Sequence, residues 1–119
     1  MNKKLSEHFD NNEFACHCGC GACEVSPALV IVLEDLRVHF NAPVNIVSGR
    51  RCVAHNASVG GAQASQHLFG MAADIQITTK SPAQVADYLE AKYPGRYGIG
   101  RYANFTHIDV RATAARWQQ

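Results

Sequence analysis

The chain has no long apolar run, no excess of either charge and a single tryptophan in 119 residues. Its longest apolar stretch, residues 27–33, falls far short of the roughly 20 residues that a bilayer-spanning helix needs. Eleven basic and ten acidic side chains leave a formal charge of +1, with no basic stripe and no acidic tail. That balance argues against a nucleic-acid surface and against a solvating segment. Lys3 and Lys4 lead into no apolar segment, so no secretory signal is read. Synthesis in a reducing cytoplasm is therefore expected. No repeat and no low-complexity tract is present.

Apolar residues make up 47% of the chain, enough for one hydrophobic core without help from disulfides. Five cysteines are present, an odd number, and four of them (Cys16, Cys18, Cys20 and Cys23) lie within eight residues. This argues against a fully disulfide-paired scaffold.

Residues 1–25 are polar and read as an irregular, cysteine-rich arm ahead of a domain spanning residues 26–119. Ser26-Pro27 suits a helix start, with Ser as cap and Pro in the first turn. Leu29, Val32, Leu33, Leu36 and Phe40 then share one helical face. Residues 44–47 read as a short strand, residues 50–70 as a long loop, and residues 71–77 as a buried strand. Ser81 and Gln84 form a capping box for a second helix, with Val85, Tyr88, Leu89 and Tyr93 inward. Two more strands are expected near 97–102 and 105–110. The order implies a small α+β domain, a mostly antiparallel sheet flanked by two main helices.

His67 and Asp74 bracket Gly70 at the end of the long loop, and His107 lies in the last expected strand. Two imidazoles and one carboxylate suit catalytic zinc, which takes three protein ligands and leaves a fourth position open. Such a metal lowers the pKa of its water to about 7. His67, Asp74 and His107 are thus expected to hold one Zn²⁺ on the sheet. In a strand, His107 and Asp109 share a face, about 6.6 Å apart along the chain, while Ile108 and Val110 face the core. Asp87 and Glu90 read as solvated charge on the helix. Asp109 is then the acid to expect at the metal, either as proton acceptor or as the group that orients a ligand.

Ser65-x-His67-x-x-Gly70-x-Ala72-x-Asp74 resembles the pattern of the zinc D-Ala-D-Ala carboxypeptidases, whose relatives include phage endolysin L-Ala-D-Glu peptidases. Ile46-Val47-Ser48-Gly49-Arg50-Arg51, His55-Asn56 and the segment from Gly98 through His107-Ile108-Asp109 are similar to other parts of that family. The likeness spans residues 26–117. It implies a zinc metallopeptidase acting on peptidoglycan stem peptides, as a carboxypeptidase or endopeptidase, monomeric and not inserted in a membrane. It also implies that Arg51 steadies substrate or the developing oxyanion, and that Arg51 and Ser65 contact substrate. Action on the wall after release, as in phage lysis, or after export by another route goes with it. Two positions depart from the pattern. Arg50 stands where a tyrosine is usual, and Asn104 where several relatives carry the acidic catalytic base, which leaves Asp109 as the expected substitute.

Three other readings accompany this one. The site can serve recognition, as the similar zinc site of the Hedgehog signalling domain does. The cysteines suggest a zinc module for nucleic acid, which the near-neutral charge opposes. Locally, they allow a structural metal, free thiols, or a disulfide to Cys52, and they stand outside the expected ligand set.

Overall fold

The computed structural model describes residues 3–119. Ser26 caps helix α1 (Pro27–Phe40), its hydroxyl accepting from the Ala28 amide at 3.2 Å. Asn41, at φ 50°, ends the helix in the left-handed region that Asn tolerates. The chain then runs through β1 (Val44–Ser48), α2 (Val53–Ser58), a 3₁₀ turn (Gln66–Phe69) and β2 (Ala72–Ile77). The Ser81–Gln84 capping box opens α3 (Pro82–Lys92), and β3 (Gly98–Arg101), β4 (Thr106–Asp109) and β5 (Ala115–Gln118) follow.

The five strands form one sheet in the order β1-β2-β4-β3-β5, antiparallel except for the parallel β3–β5 pair. One face is apolar. There Ala73, Ile75, Ile77, Ile99 and Ile108 meet Leu29, Leu33 and Leu36 of α1 and Val85 and Leu89 of α3. Burying such side chains stabilises the fold by about 1.5–3 kcal/mol each. The α+β class with two main helices is as the sequence indicates. Two things differ from expectation. The long loop contains the short helix α2 and the 3₁₀ turn, and β5 joins the sheet beside β3. The alternating half-buried pattern of β5 carries little apolar signal, and it pairs past its neighbour β4 with β3.

The arm packs on this core rather than beside it. Phe9 and Phe14 are almost wholly buried, and a 3₁₀ turn forms at Asn11–Phe14. The Arg50 amide donates to the Phe14 carbonyl at 2.8 Å. A Cβ at Gly49 would lie 2.7 Å from the Phe14 Cα, so only glycine lets these two backbones meet. Glu34 of α1 latches the arm further, accepting from the Ser6 hydroxyl and the His8 amide.

Candidate active site

Strand register does much of the assembly. Asp74 of β2 and His107 of β4 are direct partners across the sheet, and Asp109 lies two residues along on the same face. The His107 Nδ1 and Asp74 Oδ1 are 2.9 Å apart. His67 arrives from the 3₁₀ turn. There the Ser65 hydroxyl accepts from the His67 amide at 3.2 Å, and Gly70 reverses the chain at φ 68°. An L side chain at Gly70 would also run into the Glu24–Val25 backbone. The His67 Nε2 stands 3.4 Å from Asp74 Oδ2. All three residues are buried, and their donor atoms lie within 4.8 Å of one another.

Both imidazoles are anchored on the side away from Asp74. The His67 Nδ1–H donates to the Gly49 carbonyl at 2.7 Å. That leaves Nε2 with its lone pair toward the cluster. The His107 Nε2 sits 2.7 Å from Asp109 Oδ2, so Nδ1 is the nitrogen turned inward. Asp109 is fully buried and is itself gripped by the Arg111 fork, Nε at 2.8 Å and Nη2 at 2.7 Å. Asp109 therefore touches His107 and Arg111, and it stands behind the cluster, away from the adjoining cavity.

The electrostatics follow from these contacts. Burial would raise the Asp74 carboxyl, but hydrogen bonds from His107 and His67 and their charge hold it down to about 2. Burial opposes charge on His107 too, yet Asp109 and Asp74 together raise its pKa. Asp109 is likewise pushed up by burial but held well below the usual carboxylate range by His107 and Arg111. The cluster is thus a carboxylate flanked by two oriented imidazoles. Zn²⁺ accepts this donor set, and an ion placed there would replace the proton that His107 Nδ1 shares with Asp74.

A cavity of about 700 Å³ opens onto the cluster, lined among others by Arg51, Ser65, Tyr102, Phe105 and Trp117. Arg51 donates to the Ser48 hydroxyl at 3.3 Å and to Asn56 Oδ1 at 3.1 Å, and its Nη2 lies 3.5 Å from Asp74 Oδ2. A bulge in β1 between Ile46 and Ser48 aims Ser48 at this spot. Buried Asn56 holds the loop by donating to the Ala62 carbonyl at 2.8 Å. Arg50 turns the other way and donates to the Glu24 carbonyl. The aromatic wall that position 50 does not supply comes from Tyr102, stacked on Phe105, and from Trp117. Asn104 is exposed and lies outside the cavity lining, its carbonyl accepting from Gln76. Asp87 and Glu90 pair with Arg101 on the surface, away from the site.

Sequence reasoning gave no role to Gly98, Gly100, Arg111 or Trp117. Gly98 and Gly100 face Asp109 and His107 across β3–β4. A Cβ at Gly98 would come within 2.6 Å of Arg111 Nε and closer still to the Asp109 carboxylate, and one at Gly100 within 2.5 Å of the Trp117 ring. The two glycines thus leave room for the Asp109–Arg111 grip and for Trp117. Trp117 in turn packs 4.9 Å from the His107 ring and lies under the Arg111 guanidinium at 5.2 Å.

The Peptidase M15 family model matches residues 7–109 of this chain. The chain belongs to the Peptidase M15 family. The match takes in His67, Asp74, His107, Arg51 and the cysteine-rich arm, and it ends before Arg111 and Trp117. A comparison with curated proteins found no match. Membership makes a peptidase, a hydrolase that depends on a metal, the coarse reading of the chain.

Proposed function

We propose that this M15 family member is a zinc metallopeptidase that cleaves peptidoglycan stem peptides as a carboxypeptidase or endopeptidase. The observation that carries the reading is the pair of anchored imidazoles around Asp74, with Arg51 at the edge of an open cavity. His67 Nε2, His107 Nδ1 and an Asp74 oxygen are the atoms that would hold the ion. When bound, zinc supplies a water acidic enough to ionise near neutral pH and polarises the scissile carbonyl.

The protein's residues do the rest. Arg51 offers a guanidinium fixed by Ser48, Asn56 and Asp74. Such a group favours negative charge as it develops on the carbonyl oxygen. Together with Arg111, which is held by Asp109, it brings guanidinium groups to the cavity wall, which suits stem peptides bearing free carboxylates. Tyr102, Phe105 and Trp117 give the peptide an apolar wall. Ser65 spends its hydroxyl on the His67 amide and lines the cavity beside the substrate. Asp109 takes the second of its two expected roles. It acts through His107, setting that ring's tautomer and orientation, with Arg111 fixing Asp109 in turn. The test is digestion of purified muropeptides. Shortened stem peptides should form, stop forming with a chelator, and return with added zinc. Intact muropeptides after zinc loading would refute the reading.

One observation favours a second reading. Among the described residues lining the cavity, Asp74 is the sole carboxylate, and Asn104 stands at the usual base position. A protein so built can bind wall peptides without turnover. Zinc-dependent retention on peptidoglycan with no cleavage would mark it as such a module.

A further inference from the structure

The cysteine cluster takes no part in the site just described. Cys16, Cys18 and Cys20 of the arm meet Cys52, which lies one residue beyond Arg51, and the four Sγ atoms lie within 4.8 Å of one another. The resolved edges are 3.4 Å for Cys16–Cys18, 3.6 Å for Cys18–Cys52 and 3.8 Å for Cys16–Cys52. A tetrahedron of sulfurs around zinc, with Zn–S near 2.3 Å, has edges of about 3.8 Å. A disulfide requires about 2.05 Å, and all five cysteines are free. We propose that Cys16, Cys18, Cys20 and Cys52 bind a second, structural zinc ion.

The backbone around the cluster is shaped for this. Gly19 at φ +83° and Gly21 at φ +90° occupy the left-handed region, which lets a Cys-x-Cys-x-Cys run turn its sulfurs to one side. The Cys16 amide donates to the Ala22 carbonyl at 2.7 Å and closes that turn. Amides also point at the sulfurs. Cys52 N–H donates to Cys16 Sγ at 3.5 Å, and His55 N–H to Cys52 Sγ at 3.4 Å. Amide donors of this kind favour thiolate over thiol. Four thiolates so close repel one another strongly, and a divalent cation removes that repulsion. Cys23 stays outside the group and accepts from Asn11 instead. Four sulfur ligands leave no open position, which marks a structural site rather than a catalytic one.

The placement says what the ion would hold. Cys52 ends the segment whose Gly49 carbonyl anchors His67, whose Arg50 amide binds Phe14, and whose Arg51 amide donates to the His67 carbonyl at 3.0 Å. Fixing three arm cysteines to Cys52 ties the arm to the segment that carries Arg51 and orients His67. Binding converts four thiols to thiolates and releases four protons.

Cobalt substitution tests this in the intact chain, in reducing buffer. Sulfur-to-cobalt charge-transfer absorption is expected, since the His67, Asp74 and His107 cluster contains no sulfur and cannot produce it. The band should survive His67→Ala and disappear in Cys52→Ser and in Cys18→Ser, the latter altering an exposed side chain. Zinc content by native mass spectrometry should read two ions per wild-type chain, one in His67→Ala and one in Cys18→Ser. Thiol titration should find one fast-reacting cysteine, Cys23, before the metal is stripped and five afterwards. Absence of the band with five equally reactive thiols, or a mass lower by two hydrogens for a disulfide to Cys52, would overturn the proposal. Because these readouts ignore peptide cleavage, an inactive protein with the band would refute the peptidase reading alone.

Discussion

Among the described residues, two clusters of side chains could hold a metal ion, and they are held by different kinds of structure. His67, Asp74 and His107 are buried, and two of them are direct partners in a sheet whose register admits no slip. Cys18 and Cys20 are exposed, and the cysteines come from irregular backbone in the arm and from the head of a six-residue helix. A cluster preset by a sheet keeps its shape without an ion, so it can leave a coordination position open for chemistry. A cluster on loops gains rigidity from whatever bridges it, so an ion there would serve the fold. Distance in sequence does not separate the two, since Cys52 and Arg51 are neighbours, one serving each cluster.

That contrast can be pressed with substitutions that should touch one region and spare the other. Arg51→Ala should cost the most, about 10²–10³-fold in kcat, as for loss of an oxyanion-stabilising donor. It should leave both the zinc at His67 and the cobalt–thiolate band unchanged. Steady-state kinetics on muropeptides and metal analysis check both halves. Asp109→Asn should lower zinc affinity at the sheet site by about 10–100-fold through misorientation of His107. Excess zinc should then recover part of the activity. A proton acceptor at Asp109 would instead leave zinc affinity intact and activity beyond rescue, so competition with a chelating dye decides between the roles.

Gly98→Ala should destabilise the fold by about 1–3 kcal/mol, as overpacking does. Its Cβ lands on the buried Asp109 carboxylate and its Arg111 partner, so the melting temperature should drop while the cysteine cluster stays loaded. The smallest effect concerns the arm's latch. Burial would raise the Glu34 carboxyl, but hydrogen bonds from Ser6 and His8 lower it below its usual 4.5. A carboxyl depressed in the folded state adds stability above its unfolded pKa and loses it as pH falls through the folded value. Amides around Ser6–Phe9 should therefore lose protection, measured as exchange relative to the intrinsic rate at each pH, as pH drops below about 4.5, by less than about 1 kcal/mol. Glu34→Gln should remove that pH response.

Much of the frame was legible because its signals are local. Ser26-Pro27 and the Ser81–Gln84 box mark both main helices, and the apolar positions of residues 71–77 mark β2. The coming together of His67, Asp74 and His107 was legible for a related reason: His67 and Asp74 flank one turn, and His107 sits in a β-prone run. What escaped depends on pairing between distant segments. Nothing local says that β5 returns beside β3 and brings Trp117 over His107. The segment from Gly98 carries a family likeness, but the reason for its glycines shows only when Asp109, Arg111 and Trp117 are seen beside them. The orientation of Asp109 toward His107, rather than the cavity, likewise follows from β2–β4–β3 register and from Arg111. The cysteines showed their density in sequence, but the fold that brings Cys52 back to Cys16 spans α1 and β1.

The peptidase reading requires the sheet cluster of this M15 protein to be a working zinc centre. Mass spectrometry of muropeptides incubated with zinc-loaded wild-type protein and with His67→Ala tests it most directly. The account predicts stem peptides shortened or severed at an amide by the wild type and left whole by the variant. Intact stem peptides in both samples, with the wild-type sheet site shown to hold zinc, would contradict it.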